Sequence, residues 1–291
     1  MTTLQDLLKP KPAEFKRFIL LVSGQPKSGK TTLAYTASKK CPPPKEWSPS
    51  KPVVLDDILG IQFEPNSTMH LQEKGVQIPN ILDWSDESLT WKDLKQAIKG
   101  LPSAAAQYKA AGVTTLVVDT LSTLNRLLLR DIIDRGDFGT DMERIRAYGD
   151  VDTQHYFFFD ALRATGLNII ALVHLQHFAP FGEEGGMSQA AQAMKAAASK
   201  QVDKITANQV AGQRTDYIMD VRPKVAGHWT RLADASLVAK PERVTIKAGE
   251  TKLAFKFLSE GNSDYSAGGR WVIPAISDSY LRPIIEARYG K

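Results

Sequence analysis

Residues 24–32 read Gly-Gln-Pro-Lys-Ser-Gly-Lys-Thr-Thr, and the first eight satisfy the pattern G-x-x-x-x-G-K-[ST]. Holding a polyphosphate is the chemistry that needs this spacing. Glycine lets the backbone of Gly24, Gln25, Pro26, Lys27, Ser28 and Gly29 curl so that N–H groups face phosphate oxygens. The positive N-terminal end of the following helix adds to the field. Lys30 reaches the β- and γ-phosphates as a point charge, Thr31 offers its hydroxyl to Mg2+, and Thr32 belongs to the same cradle. ATP and Mg2+ are the expected cofactors.

Such a site needs a carboxylate for the metal and a group that orients an attacking water. Asp119 ends the apolar run "TLVVD" and is the expected metal carboxylate beside Thr31. For the water, "VVLDDILGIQFE" offers Asp56, Asp57 and Glu64. Asp57 is favoured, because it falls just past an apparent strand end, where α/β folds bind their ligands. "LVHLQ" ends another apolar run in His174 and Gln176, which share one side of a strand and are placed to sense a terminal phosphate. Gln176 is the favoured member of that pair. His70, His155, His177 and His228 show no metal-ligand spacing, which argues against zinc chemistry.

Apolar runs must position these groups. "FILLVS" at 18–23, "VVLDD" at 53–57, "TTLVVDT" at 114–120 and "LNIIALVHLQ" at 167–176 read as strands buried on both faces. "VQIPNILDW" reads as a further short strand. Helical patterns follow at about 31, at 88–101 with Ser88 as cap and Leu94, Ala97, Ile98 and Leu101 as its apolar stripe, at 121–135, and at 151–166. Residues 136–150, "GDFGTDMERIRAYGD", read as polar and glycine-punctuated. The expected fold is α/β, a mostly parallel sheet with helices on both faces. Past Gln176 the chain turns rich in Ala, Gln, Gly and Lys and is expected to form a mobile loop over 178–215. Shorter strands follow, the last pair a hairpin about "GE", and "YLRPIIEARYGK" closes as a helix. Residues 1–17 read as a polar lead-in, 18–291 as the core, and 216–291 as its added C-terminal strand region.

Across 291 residues, hydrophobic side chains make up 43% and charged ones 24%, an ordinary globular balance. No run of about 18 apolar residues is present, so no membrane helix is expected. A single cysteine, Cys41, cannot close an internal disulfide, and a cytoplasmic location is expected. The net charge is +5 and unevenly spread: residues 1–51 carry ten Lys/Arg against three Asp/Glu, and 222–291 carry twelve against seven. Mild basicity fits a polyphosphate or nucleic-acid partner.

The order of "GQPKSGKT", "VVLDD", "TLVVDTLSTL", "YGDVDTQ", "NIIALVHLQ" and a long loop resembles the RecA-like P-loop ATPases. More narrowly, it is similar to the phage-encoded RecA-like single-strand annealing ATPases, over roughly residues 15–290. The resemblance implies a RecA-like P-loop core and a homo-oligomer, ring or filament, on single-stranded DNA. It implies DNA annealing or strand exchange, a cooperating single-strand-binding protein, and a host-cytoplasm location. It also implies DNA contact by two loops, about 135–150 with Arg144 and Arg146 beside Tyr148, and 178–215 with Lys195, Lys200, Lys204 and Arg214. A basic residue offered across the subunit interface would be Arg270, in "YSAGGRW"; the family's neighbouring lysine is absent here. Two other readings use the same phosphate loop: a helicase-like or replication-loader ATPase, and a small-molecule phosphotransferase, for which the Ala/Gln-rich 187–214 stretch is a poor acceptor pocket. A third is a nucleotide-stabilised assembly protein with negligible turnover.

Overall fold

A computed structural model describes residues 17–86, 88–135, 140–177, 217–247, 250–258, 268–269 and 280–289. Strand β1 (Ile19–Gly24) runs into the phosphate loop and then helix α1 (Lys30–Tyr35). The five buried residues Ile58–Gln62 form β3, flanked by the short strands β2 (Val53–Val54), β4 (Val76–Gln77) and β5 (Asn80–Asp83) and by helix α2 (Met69–Gln72). Then come α3 (Trp91–Ala110), β6 (Thr115–Asp119), α4 (Leu121–Arg135), α5 (Asp141–Ala164) and β7 (Asn168–His177). The remainder comprises β8 (Tyr217–Met219), α6 (Pro223–Leu232), β9 (Ala235–Lys247), β10 (Glu250–Leu258), β11 (Gly268–Gly269) and α7 (Arg282–Tyr289).

The main sheet runs β10-β9-β1-β7-β6-β3-β5, with β11 paired to β9 and β8 to β7. From β9 to β5 the pairings are parallel, and β10 closes the edge as an antiparallel hairpin with Lys247 opposite Glu250. Alternation along each strand splits the core into two layers. Ile19, Leu21, Leu59, Ile61, Leu116, Val118 and Ile169 face a layer built by α3, α4, α5 and α6. Phe18, Leu20, Val22, Ile58, Val117, Ile170 and Leu172 face α1 and α2, with Ile284 and Ile285 of α7 packed alongside. The fold is therefore the expected α/β sandwich with C-terminal strands added to one sheet. Among the described residues no helix is long and apolar enough to cross a membrane.

Several local expectations need correction. "VVLDD" is not a buried strand ending in acids: only Val53 and Val54 are extended, and they pair with β4 in a separate two-stranded sheet. The buried strand starts one residue after Asp57. Helix α3 is capped by Thr90 rather than Ser88, in a reciprocal capping box with Asp93, and it continues past Pro102 to Ala110. Residues 141–150 are the first turns of α5, capped by Thr140 and Glu143, rather than a loop. Within the 216–291 region read as shorter strands, "PKVAGHWTRL" is instead helical, with Pro223 in its first turn and Val225 and Trp229 buried four residues apart.

The chain just past β3 is fixed tightly. Phe63 donates its N–H to the Asp119 carbonyl at 2.7 Å, continuing the β3–β6 pairing. Its ring meets Trp84 and Phe158 edge-on, with centroids 5.6 and 5.9 Å away. Truncation should be costly because the ring is buried and the site cannot collapse around it. Phe63→Ala is expected to lower stability by about 3–5 kcal/mol in chemical denaturation; a loss below about 1 kcal/mol would show that these rings do not fix the segment.

Candidate nucleotide site

The parallel strands end together on one edge, and the candidate residues gather there. Gly24 of β1 lies opposite His174 of β7, and Gln62 of β3 lies opposite Asp119 of β6. Ligands of open α/β sheets bind outside these carboxyl ends.

The phosphate loop is shaped by two glycines. Gly29 adopts φ 81°, a left-handed turn that feeds α1. A Cβ on Gly24 would lie 2.5 Å from Ser28 Oγ and 2.8 Å from Ala239 Cβ, so the loop fits against β9 only without a side chain. Gln25, Pro26 and Lys27 are exposed, whereas Ser28 and Lys30 are buried, and Thr31 and Thr32 lie half-buried on α1.

Lys30 is 4% exposed, and its ammonium donates to Gly24 O at 3.0 Å and Gln25 O at 2.8 Å. Nδ1 of His174 lies 3.2 Å from the same Nζ. Burial depresses the Lys30 pKa to about 8, with Asp119 and Glu64 opposing the shift. Thr31 donates its hydroxyl to Asp119 Oδ2 at 2.9 Å. Asp119 is 1% exposed, and burial lifts its pKa to about 6 against the Thr31 hydrogen bond.

Glu64, the alternative ranked below Asp57 on sequence, lies at the centre of the crevice. Its Oε1 accepts from Thr120 Oγ1 at 2.9 Å, Thr123 Oγ1 at 2.8 Å and His174 Nε2 at 2.7 Å. Burial alone would raise its pKa, but the His174 hydrogen bond, the charge that His174 carries when protonated, and the Thr123 and Thr120 hydrogen bonds outweigh it and lower it.

Asp57 is a correction. It precedes β3 and so lies at the opposite edge of the sheet from the phosphate loop. Its carboxylate accepts from Ser38 Oγ at 2.5 Å and from Lys39 N–H at 2.7 Å, bracing the chain beyond α1. Asp56 pairs with Lys40 on the same edge. Gln176 is exposed near the end of β7, whereas His174, two residues earlier, makes the contacts to Lys30 and Glu64. On α5, Arg146 and Tyr148 are exposed, and Arg222 lies over the Tyr148 ring at 4.9 Å. Arg144 falls on the same helix, with its side chain outside the described residues. Lys195, Lys200, Lys204, Arg214 and Arg270 also lie outside the described residues.

Two features that sequence reasoning did not use border the site. Thr32 Oγ1 is 3.0 Å from His70 Nε2 on α2. Ser122 Oγ accepts the His174 N–H at 2.9 Å. These contacts join residues far apart in the chain, and no local spacing signals them.

A magnesium nucleotide fits these groups. Ser28 Oγ is buried beside the Gly24 turn with no hydrogen-bond partner in the protein. One hydroxyl and one carboxylate, Thr31 and Asp119, suit a cation that keeps most of its ligands as water and phosphate. Among the described residues there is no cluster of three His, Cys, Asp or Glu side chains that would hold a metal unaided.

Residues 16–240 match the AAA domain family, a span from the foot of β1 into β9. The chain belongs to the AAA domain family. It is thus a P-loop ATPase by family. No curated protein sequence matches the AAA-domain chain. Among solved structures, a KaiC-like protein from the hyperthermophilic archaeon Pyrococcus horikoshii OT3 is similar at TM-score 0.37 and 12% identity, covering 83% of this chain and 77% of that one.

The raised Asp119 pKa has a sign that can be tested. Folded Asp119 holds its proton more tightly than the unfolded chain does, so its contribution to stability is full below the ordinary value of 3.8 and lost as pH rises through about 6. Asp119→Asn should therefore stabilise the nucleotide-free protein, by on the order of 3 kcal/mol at pH 8 and by less at pH 5. Thermal unfolding at the two pH values checks this; an equal or reversed difference would contradict it.

Proposed function

We propose that the chain is an ATP- and Mg2+-dependent ATPase of RecA-like type that oligomerises on single-stranded DNA and promotes annealing or strand exchange. The observation that carries the ATPase part is the convergence of Lys30, Thr31, Asp119 and Glu64 at the carboxyl ends of β1, β6 and β3. Bound Mg2+-ATP supplies the phosphoanhydride to be cleaved and a cation that neutralises its oxygens. Lys30 turns its ammonium from its present acceptors to the phosphates. Thr31 and Asp119 hold the cation. Glu64 orients the attacking water.

Three features support the DNA part. The 178–215 stretch carries Lys195, Lys200, Lys204 and Arg214 against Asp203 alone between 187 and 214. The strands that enter and leave it, β7 and β8, pair antiparallel at Leu175–Met219 and Gln176–Ile218. Asp220 N–H donates to His174 O at 2.7 Å, so the stem of this stretch is bonded to a crevice residue. A basic, small-residue segment suits phosphate tracking. Arg270 is the proposed basic residue offered to a neighbouring subunit.

Steady-state turnover with and without single-stranded DNA, at two salt concentrations, tests the reading. Turnover that rises with DNA, with salt-sensitive binding, is expected; unchanged turnover and no salt-sensitive binding would remove the DNA role. Unwinding of forked duplex would favour a helicase or loader, and phosphate transfer to a nucleoside a phosphotransferase. Glu64→Gln should cut turnover about a hundredfold or more with nucleotide affinity kept, while Asp57→Asn should leave it within about threefold. Equal losses would restore Asp57 as the water-orienting acid.

The depressed Lys30 pKa adds a proton signature. Phosphate oxygens favour the charged ammonium, so nucleotide binding at pH 8.5 should take up a proton. Calorimetry in buffers of different ionisation enthalpy should show this uptake in the wild type and none in Lys30→Met. Zero uptake by the wild type would contradict the assigned role of Lys30.

A further inference from the structure

One hydrogen-bonded chain crosses the crevice from the phosphate loop to the acid. Lys30 Nζ is 3.2 Å from His174 Nδ1, and His174 Nε2 is 2.7 Å from Glu64 Oε1. An ammonium only donates, so Nδ1 is the acceptor and Nε2 carries the ring proton that Glu64 receives. The two neighbours therefore fix the tautomer. The backbone of His174 is pinned as well, its N–H to Ser122 Oγ and its C=O to Asp220 N–H.

Hydrogen bonds in such a chain polarise one another. A cation donating to Nδ1 draws electron density from the ring and makes Nε2–H a stronger donor, so Glu64 is gripped harder while Lys30 points at His174. The three acceptors around Lys30, namely Gly24 O, Gln25 O and His174 Nδ1, engage the three protons of one ammonium. An ammonium that turns to a phosphate must give up at least one of them. The carbonyls belong to the loop that curls around the phosphate, whereas His174 stands on the neighbouring strand β7.

We propose that His174 is a positioning residue that couples Lys30 to Glu64: with Lys30 turned inward it latches Glu64, and when Lys30 turns to a phosphate it slackens its hold, leaving Glu64 to orient water. Thr120 and Thr123 keep the carboxylate in place after the latch loosens. The device ties the competence of the acid to occupancy of the loop and restrains Glu64 when no nucleoside triphosphate is present. This rests on reading the crevice as a nucleoside triphosphatase site.

The test uses full-length protein labelled with 15N-histidine, with the His174 ring signals assigned by difference against His174→Gln. Magnesium and a non-hydrolysable ATP analogue are added, and binding is measured separately by calorimetry. The His174 Nδ1 resonance should move on binding while Nε2 stays protonated, and Lys30→Met should reproduce that shift without nucleotide. Binding with no change at Nδ1, or a Lys30→Met spectrum like the wild type, would overturn the latch. Absence of calorimetric binding would instead remove the triphosphatase reading beneath it. A second arm uses variants: His174→Leu, which frees Lys30 of one competing acceptor, should bind the analogue about threefold or more tighter. His174→Gln, whose amide again pairs an acceptor with a donor, should bind like the wild type. Equal affinity in all three proteins would also count against the latch.

Discussion

Ionic groups held almost dry at the carboxyl ends of parallel strands are the constraint on which this structure depends. Lys30 and Asp119 are 4% and 1% exposed, and neither ion is stable there without partners. The loop carbonyls and His174 satisfy the ammonium, and Thr31 satisfies the carboxylate. Each charge departs from its ordinary pKa in the direction that burial dictates, so the nucleotide-free site is held under electrostatic tension. A magnesium polyphosphate, which brings anionic oxygens to the lysine and a cation to the aspartate, relieves both at once.

Strand order converts that local tension into a connected device. Because β7 lies between β1 and β6, His174 stands between the phosphate loop and the acids instead of at a distant edge. Because β8 pairs with the end of β7, the same residue is also bonded to the segment that returns from residue 216. The far side of α1 is braced independently. Asp57 holds the chain at Ser38 and Lys39, Leu281 N–H donates to Thr36 Oγ1 at 2.9 Å, and Tyr280 donates to Cys41 O at 3.0 Å. The C-terminal helix α7 thereby backs the phosphate-loop helix.

The parts readable from sequence are those whose signal is local. The phosphate loop has its own spacing, and Asp119 ends a five-residue run that is apolar almost throughout and buried on both faces. The misplaced acid shows where locality fails. "VVL" looks more like a buried strand than "ILGIQ", yet the latter is the one that joins the main sheet, between β6 and the edge strand β5. Gly60 is there because a Cβ would meet the Tyr35 hydroxyl at 2.5 Å, and Gln62 because its amide donates to Thr68 at 2.9 Å. Both reasons are tertiary. The start of α5 is different: Thr140 and Glu143 form a T-x-x-E capping box, a local start signal set in a glycine-punctuated stretch. Between His174 and Gln176, period-two alternation puts both on one side of β7 but cannot tell which sits inside the crevice. Depth along the strand decides that, and depth follows from the register against Gly24.

A crystal structure with magnesium and a non-hydrolysable ATP analogue tests the central claim most directly. The account predicts Lys30 Nζ on phosphate oxygens and off its nucleotide-free acceptors, His174 Nδ1 among them, the cation held by Thr31 and Asp119, and Glu64 facing the terminal phosphate. An analogue bound elsewhere, with Lys30 still on its own loop and Thr31 still donating to Asp119, would contradict it.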